Sequence, residues 1–260
     1  MLLLMDRYEL VGPNEYVYEL NVYVPKQAPP PGGFSVYYVL DGSMYGLYVS
    51  EMIRNQIRNS PKTGVDAAIV VAICHQETDY AAARFRDFTA PAEAYHLPER
   101  LQHVKDREYG GAALLTSFLH EQLIPFIDRH YPTNHGLRAL VGHSLSGYYV
   151  LWSMITEHSR FQVHAAISPS IWWNNYELLA LAEQVMPQWI DVRPHSSCFI
   201  AVGELEGFMV DDAKNMENII NPAWTNLLSK VVSDENHASV MPTVLSAVLR
   251  FSTKQFQQNN

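Results

Sequence analysis

Residues 140–147 (LVGHSLSG) contain the clearest candidate for covalent chemistry in this sequence. An apolar run ends at Gly142, a serine stands at position 144, and a helical pattern follows. A sharp turn from a strand into a helix, the nucleophile elbow, exposes a serine hydroxyl above a sheet in this context. The sequence therefore predicts Ser144 as a nucleophile.

Small residues are needed two positions either side of such a serine, because the strand and the helix pass close to each other. Gly142 meets this requirement, and Ser146 stands where glycine is usual. Serine is small enough to be tolerated. Taking Ser146 as the nucleophile instead would place the bulky Tyr148 in the turn, so we reject that register. His143 is assigned a packing role.

A serine hydroxyl is a weak nucleophile and needs a neighbouring base. When the serine lies on a nucleophile elbow, the acid and then the histidine follow it along the chain. His237 comes after the last β-like segment and precedes the final helical pattern. The other histidines after the serine, at positions 158, 164 and 195, lie at a helix end or ahead of strands. We therefore predict His237 as the base.

The acid of such a triad holds the imidazole in the correct tautomer and stabilises its cation. The strand-like residues 197–202 run into the segment GELEG, which offers Glu204 and Glu206. Asp211 and Asp212 lie within reach of the same loop. We favour Glu206, with Glu204 as the next candidate.

Backbone amides that face the developing oxyanion lower the barrier to acyl transfer. One such amide belongs to the residue after the nucleophile, Leu145. The other is expected in a loop after an early buried strand, which here is residues 40–43 (LDGS). We predict Ser43 as the second donor, because a glycine turn leaves the next amide free.

These residues must be positioned by strands that alternate with helices. Strand-like segments occupy residues 16–24, 34–40, 66–73, 137–141, 163–167 and 197–202, and most are continuously apolar. Residues 110–130 form a long helical pattern in which Pro125 should cause a kink or a break. This order predicts an α/β fold with a mostly parallel central sheet and helices on both faces, and functional residues just after the strands.

Composition supports one globular domain over residues 1–260, with 48% hydrophobic and 17% charged residues. Residues 75–109 show little periodicity and are predicted to form a loop-rich cap or lid. Cys74 and Cys198 lie in apolar runs and are predicted to be buried, reduced thiols. The apolar start MLLLM is too short for a signal or a membrane span, so we expect a cytoplasmic protein without a membrane partner.

Charge and histidine spacing argue against several other functions. The net charge is −9 and no run of Lys or Arg occurs, so we expect no nucleic-acid partner. The eleven histidines are scattered without metal-ligand spacing, so neither a metal nor a cofactor is predicted. The expected partner is a small-molecule ester.

The sequence also resembles the putative esterase family, which includes siderophore (enterobactin-type) esterases and, more distantly, esterase D and the mycolyl-transferring antigen 85 proteins. The matching segments cover nearly the whole chain: VYYVLDGSMY, ARFRDFTAP, GGAALLTSFLHEQLIPFIDRHYPT, ALVGHSLSGYYVLW, AAISPSIWWNN and ENHASVMP. The resemblance implies an α/β-hydrolase fold. It also implies catalytic roles for Ser144 and His237, with Glu206 at a position where some members have a glutamate, and an oxyanion role for Ser43.

The same resemblance implies a substrate contact by Arg84 or Arg86, because some siderophore esterases use an arginine in this segment. An ion pair of Arg86 with Asp87 is the structural alternative. Trp172 and Trp173 follow a strand and are candidates for lining an acyl or aryl pocket, with plain core packing as the alternative.

Three functions fit these residues. The first is hydrolysis of a carboxylic ester through an acyl-enzyme, and the second is acyl transfer to an alcohol on the same triad. The third is a catalytically silent member of the fold that acts as a binding module, against which the intact set of serine, acid and histidine argues.

Overall fold

One mixed sheet forms the centre of the molecule. The computed structural model describes residues 4–13, 15–76, 78–156, 160–192, 195–224 and 226–258. Within them, eight strands pair in the order β1-β2-β4-β3-β5-β6-β7-β8. The strands are β1 (Leu4–Val11), β2 (Val17–Val24), β3 (Phe34–Val39), β4 (Ala68–His75), β5 (Thr133–His143), β6 (Val163–Ile167), β7 (Ser197–Gly203) and β8 (Leu227–Val232). The β1–β2 and β2–β4 pairs are antiparallel, and the other pairs are parallel.

Helices cover both faces of this sheet, as predicted. The α-helices are α1 (Gly42–Gln56), α2 (Ser60–Thr63), α3 (Tyr80–Phe88), α4 (Ala112–Ser117), α5 (Ile124–His130), α6 (Leu145–Thr156), α7 (Trp173–Val192), α8 (Phe208–Ile220) and α9 (Val240–Gln258). Helices α1 and α9 enclose one core, and α4, α6, α7 and α8 contribute to the core on the opposite face. None of the helices in the described part of the chain has the length and hydropathy needed to cross a membrane.

The central strands are apolar because both of their faces are covered. Every residue of β6 and β7 is buried, whereas β2, nearer the sheet edge, alternates between buried and half-buried residues. Continuous apolar runs are typical of parallel strands packed between helices. The parallel α/β architecture predicted from the sequence is therefore confirmed.

The helical pattern at residues 110–130 is interrupted, as its proline predicted. A π-helical segment, Phe118–Leu123, separates α4 from α5. Pro125 lies in the first turn of α5. Because proline lacks an N–H and its ring clashes with the carbonyl four residues earlier, the regular α-helical hydrogen-bond pattern cannot pass through it.

Two elements differ from the sequence-based expectation. Residues 75–109, expected to be loop-rich, contain α3 and a 3-10 helix, Glu99–Val104. The Asp79 carboxylate caps α3 by accepting the N–H of Ala82 at 3.0 Å. Strand β5 begins at Thr133, earlier than the predicted residues 137–141. The sequence pattern did not indicate its first half, because these residues are partly exposed and polar and lack the apolar run of a buried strand.

Candidate active site

The carboxyl ends of four adjacent parallel strands meet at one edge of the sheet. Asp41 lies just past β3, Ser144 directly follows β5, Ser168 follows β6 and Glu206 lies just past β7. Loops at this edge are where open α/β sheets bind ligands. The topology therefore brings together residues that are far apart in the sequence.

Ser144 occupies the turn between β5 and α6 in a left-handed conformation, with φ of 61°. This conformation is strained for a residue with a side chain and often marks a functional position. Neighbouring backbone holds it, because the Ser144 N–H donates to the Ile167 carbonyl at 2.9 Å and its carbonyl accepts the Ser170 N–H at 3.0 Å. The Ser144 Oγ lies 3.4 Å from the Ser170 Oγ.

Gly142 is required by the close approach of β5 and α6. A Cβ atom at this position would lie 2.4 Å from the carbonyl oxygen of Ser146. No side chain fits at that distance, so the strand can pass the helix only with glycine here. The turn therefore has the shape predicted for a nucleophile elbow.

His237 and Glu206 form a close pair beside this turn. The His237 Nδ1 lies 2.6 Å from the Glu206 Oε2, and the carboxylate side chain is 2% exposed, whereas the imidazole is 44% exposed. Because a carboxylate accepts, Nδ1–H donates to it, which leaves Nε2 to accept a proton from another group. The half-exposed ring can thus meet a ligand while its other nitrogen is held.

Hydrogen bonds keep Glu206 ionised in spite of its burial. Its Oε1 accepts the Ser168 hydroxyl at 2.5 Å and the Gly203 N–H at 2.6 Å. Burial opposes the charge, but the hydrogen bonds from His237, Ser168 and Gly203 outweigh it and hold the pKa of Glu206 below its ordinary value. Glu204 and Asp211, the alternatives for the acid, instead contact the Asp234 N–H at 3.2 Å and Lys214 at 3.7 Å.

The His237 loop is attached to the elbow through His143. The two imidazole centroids are 4.7 Å apart, and the His143 Nε2 lies 2.8 Å from the His237 carbonyl oxygen. Among the described residues no hydrogen bond joins the Ser144 hydroxyl to His237. Catalytic hydrogen bonds are often long in ligand-free enzymes and shorten when substrate binds.

The two predicted oxyanion donors lie in the first turns of helices. Leu145 begins α6, and Ser43 is the second residue of α1. The first amides of a helix have no acceptor within the helix, so they can face a ligand. Gly42 packs against the backbone of β4, where a Cβ atom would lie 2.5 Å from the Ile73 nitrogen.

Both arginines predicted as substrate contacts are bound to carboxylates of the protein. Arg84 donates from Nε and Nη2 to the two oxygens of Asp41, at 2.8 and 3.0 Å. Arg86 is buried and donates to Asp87 at 2.7 and 2.9 Å. For Arg86 this pair is the structural alternative stated from the sequence, and a substrate contact by Arg84 or Arg86 stays a prediction.

The two tryptophans have different environments. Trp173 is completely buried, with its ring centroid 5.4 Å from those of Phe85 and Tyr109. It therefore packs in the core, which is the alternative stated for it from the sequence, and does not line a pocket. Trp172 is half-buried, and the Arg100 guanidinium lies 4.3 Å from the centroid of its ring.

Trp172 lines a groove of about 370 Å³, which we call the aromatic groove. Its lining residues are His96, Leu97, Pro98, Arg100, Trp172, Asn175, Tyr176 and Phe208. Trp172 is two residues from Ser170, which contacts Ser144, and Phe208 is two residues from Glu206. Two residues span about 7 Å at most, so the backbone that carries Trp172 and Phe208 lies close to Ser170 and Glu206.

Sequence reasoning missed the hydrogen-bonding roles of three side chains at this site. Ser168 donates to Glu206, His143 contacts His237, and the Asp41 carboxylate accepts the Ser146 hydroxyl at 2.7 Å. Asp41 stands next to the predicted oxyanion loop, so its position was visible, but the sequence indicated only a backbone role for that loop. Ser168 directly follows a predicted strand, and this position could have indicated a functional residue.

Comparison with known proteins shows the family and the fold of the chain. The putative esterase family matches residues 15–238. The chain is 32% identical over 243 residues to the ferri-bacillibactin esterase BesA of Bacillus subtilis, covering 90% of this chain and 84% of that protein. The solved BES protein of Bacillus cereus superposes with a TM-score of 0.86 at 30% identity, over 97% of both chains. The siderophore hydrolase EstA of Aspergillus nidulans gives 0.85 at 25% identity, over 96% of this chain and 94% of the other.

The family match spans most of the chain, and the relatives share its architecture from end to end. The chain therefore belongs to the putative esterase family and is a carboxylic ester hydrolase with the α/β-hydrolase fold.

Proposed function

We propose that Ser144, His237 and Glu206 form a catalytic triad. The observation that carries this proposal is the 2.6 Å contact between the His237 Nδ1 and the buried Glu206 carboxylate, beside a strained serine turn. His237 takes the Ser144 proton as the hydroxyl attacks the ester carbonyl, and it then protonates the leaving alcohol. Water, activated by the same imidazole, hydrolyses the acyl-enzyme.

We propose that the amides of Ser43 and Leu145 bind the oxygen of the tetrahedral intermediate. Their place in the first turns of α1 and α6 supports this, because these N–H groups have no acceptor within their helices. Loss of one oxyanion donor costs about 10²- to 10³-fold in kcat in well-studied serine hydrolases. Two preorganised donors therefore supply a substantial share of the rate enhancement.

We propose that the substrate is an ester of the siderophore type, as the names of the relatives suggest. The ferri-bacillibactin esterase of Bacillus subtilis and a siderophore enterobactin esterase of Emericella nidulans, 31% identical over 190 residues, are both named for such substrates. The aromatic groove supports this choice. Trp172 and Phe208 offer faces for stacking, and Arg100 offers a positive charge to an anionic ring.

We propose that residues 75–109 act as a cap over the site within a single domain. This segment supplies Arg100 and other residues of the aromatic groove, and it supplies Arg84 to the loop after β3. For the cellular location we propose the cytoplasm; the free, buried thiols of Cys74 and Cys198 are in keeping with a reducing compartment.

A substrate panel tests this function. Enterobactin, ferri-bacillibactin and p-nitrophenyl acetate would be compared by liquid chromatography and absorbance, with and without an added alcohol acceptor. We expect hydrolysis of the siderophore esters with the higher kcat/KM and free acids as the products. Formation of new esters in the presence of the alcohol would indicate acyl transfer instead. No turnover of any ester by folded protein would contradict the proposal.

Arg100→Met tests the role of the aromatic groove. We expect KM for the anionic siderophore ester to rise about two- to fivefold, since a cation–π contact at an exposed arginine contributes about 0.5–1 kcal/mol. Turnover of p-nitrophenyl acetate, which has no anionic ring, should not change. Arg107→Met is the matched control, because Arg107 belongs to the same segment but lies over Phe85 and pairs with Asp79. If Arg100→Met and Arg107→Met had the same KM for the siderophore ester, the substrate would not bind in the aromatic groove.

A further inference from the structure

The Asp41 carboxylate is completely buried and accepts four hydrogen bonds. Its Oδ1 accepts the Tyr80 hydroxyl at 2.5 Å and the Arg84 Nε–H at 2.8 Å. Its Oδ2 accepts the Arg84 Nη2–H at 3.0 Å and the Ser146 hydroxyl at 2.7 Å. A buried charge with this many donors is held firmly, because losing any one of them leaves a polar group unsatisfied.

Ser146 connects this carboxylate to the elbow. Its Oγ accepts the His143 N–H at 2.9 Å and lies 2.9 Å from the His143 carbonyl oxygen. The Arg84 Nη2 reaches the same carbonyl at 3.4 Å. Ser146 stands where a glycine is usual in such turns, and a glycine could make none of these side-chain bonds. The serine at this position therefore adds a contact between the elbow and the loop after β3.

The two segments joined by this contact carry the two proposed oxyanion donors. Asp41 has a left-handed conformation, with φ of 51°, and its carbonyl accepts the amides of Met44 and Tyr45 at 2.9 and 3.1 Å, which fixes the first turn of α1 around Ser43. On the other side, Ser146 directly follows Leu145. The Asp41–Ser146 bond therefore joins the two segments that carry these amides.

We propose that Asp41, Ser146 and Arg84 are positioning residues that set the spacing of the two oxyanion amides. This inference rests on the proposed function. Arg84 also balances charge, because an uncompensated carboxylate beside the oxyanion hole would oppose the negative charge that develops there. The bidentate guanidinium neutralises that carboxylate. Arg84 thus acts on the reaction through Asp41.

Ser146→Ala is the central test. We expect kcat for p-nitrophenyl acetate to fall about tenfold, less than the loss of an oxyanion donor, with KM changed less than twofold. A trifluoromethyl ketone, which forms a tetrahedral adduct whose oxygen occupies the hole, should bind more weakly by the same factor. Ser153→Ala is the matched control, since Ser153 is buried on the same helix and bonds a backbone carbonyl, that of Val150.

A kcat for Ser146→Ala within twofold of wild type would overturn the proposal. A fall in kcat without any weakening of ketone binding would also overturn it. Such a result would mean that the substitution disturbs the enzyme in general and does not act on the oxyanion amides. A failure of the proposed function itself would give a different result, because Ser144→Ala would retain turnover if Ser144 were not the nucleophile.

Arg84 variants provide an independent test. We expect Arg84→Met to lower kcat at least as far as Ser146→Ala does, because it leaves the Asp41 charge unbalanced. Arg84→Lys, which keeps the charge but not the two-pronged geometry, should recover part of the loss. If Arg84→Met does not fold, Arg84→Lys is compared with wild type instead. The positioning role would be refuted if kcat and ketone affinity were unchanged both in Arg84→Lys and in Ser146→Ala.

Discussion

The imidazole of His143 lies against that of His237, with 4.7 Å between the ring centroids, and it bonds the His237 backbone at 2.8 Å. Because the His237 carbonyl can only accept, the His143 Nε2 carries the proton. Its Nδ1 then accepts the hydroxyl of Tyr45 at 3.0 Å. Burial, together with the charge of His237, lowers the pKa of His143 to about 4, so His143 stays neutral when His237 becomes protonated.

His143 should therefore position the proposed base without exchanging protons itself. His143→Phe keeps a ring in place but removes the hydrogen bond to the His237 carbonyl. We expect kcat for p-nitrophenyl acetate to fall about tenfold, at nearly constant KM, since a misplaced base weakens proton transfer in the transition state. Tyr45→Phe, which removes only the hydroxyl on the far side of the ring, should cost about threefold or less. Equal kcat values for wild type and His143→Phe would contradict this role.

The choice of Glu206 over Glu204 gives a second prediction. Glu206→Gln should lower kcat by about 10³- to 10⁴-fold, because the amide no longer favours the catalytic tautomer and no longer stabilises the imidazolium. Glu204→Gln is a matched control two residues away, whose carboxylate accepts the Asp234 N–H at 3.2 Å. Steady-state kinetics of the two variants decide the matter. A larger loss in Glu204→Gln than in Glu206→Gln would contradict the assignment.

Stability should depend on pH through two buried histidines, His143 and His164, and the half-buried His120. Burial lowers the pKa of His120 and His143 to about 4 and that of His164 to about 3, all below the ordinary value of 6.5. Between pH 6.5 and 4 the unfolded chain thus binds protons that the folded protein does not. The free energy of unfolding should fall as pH drops through this window, by up to about 1.4 kcal/mol per pH unit for each histidine.

Urea unfolding at pH 7, 6 and 5 measures this slope. The depressed pKa of Glu206 acts at lower pH, where its protonation removes further stability. Replacing His143 by Phe should reduce the slope by about one proton, since one buried neutral imidazole is lost. A free energy of unfolding that stays constant between pH 7 and 5 would show that these histidines titrate normally in the folded state.

The sequence predicted those parts of the site that local patterns determine. Gly142 and Ser144 stand at the junction of an apolar strand and a helix, and His237 opens the segment before the last helix, so their positions could be recognised without coordinates. The alternation of apolar strands with helical patterns likewise predicted the parallel sheet. These features depend on short stretches of chain.

Contacts between distant segments could not be predicted in this way. Ser146 and Asp41 are 105 positions apart, and neither residue alone indicates that the other completes its hydrogen bonds. Arg84 and Trp173 carry side chains that bind ligands in many proteins. The ion pair of Arg84 with Asp41 and the burial of Trp173 against Phe85 depend on how α3 packs, and α3 itself lies in a segment with little periodicity.

The most direct test of Ser144 as the nucleophile is labelling with a fluorophosphonate probe, followed by intact-mass measurement and peptide mapping. We expect one adduct per chain, on Ser144, absent in Ser144→Ala and strongly slowed in His237→Ala. Ser170→Ala, which alters the neighbouring hydroxyl 3.4 Å away, should still be labelled at Ser144. An adduct on another residue, or no adduct on folded wild-type protein, would contradict this assignment.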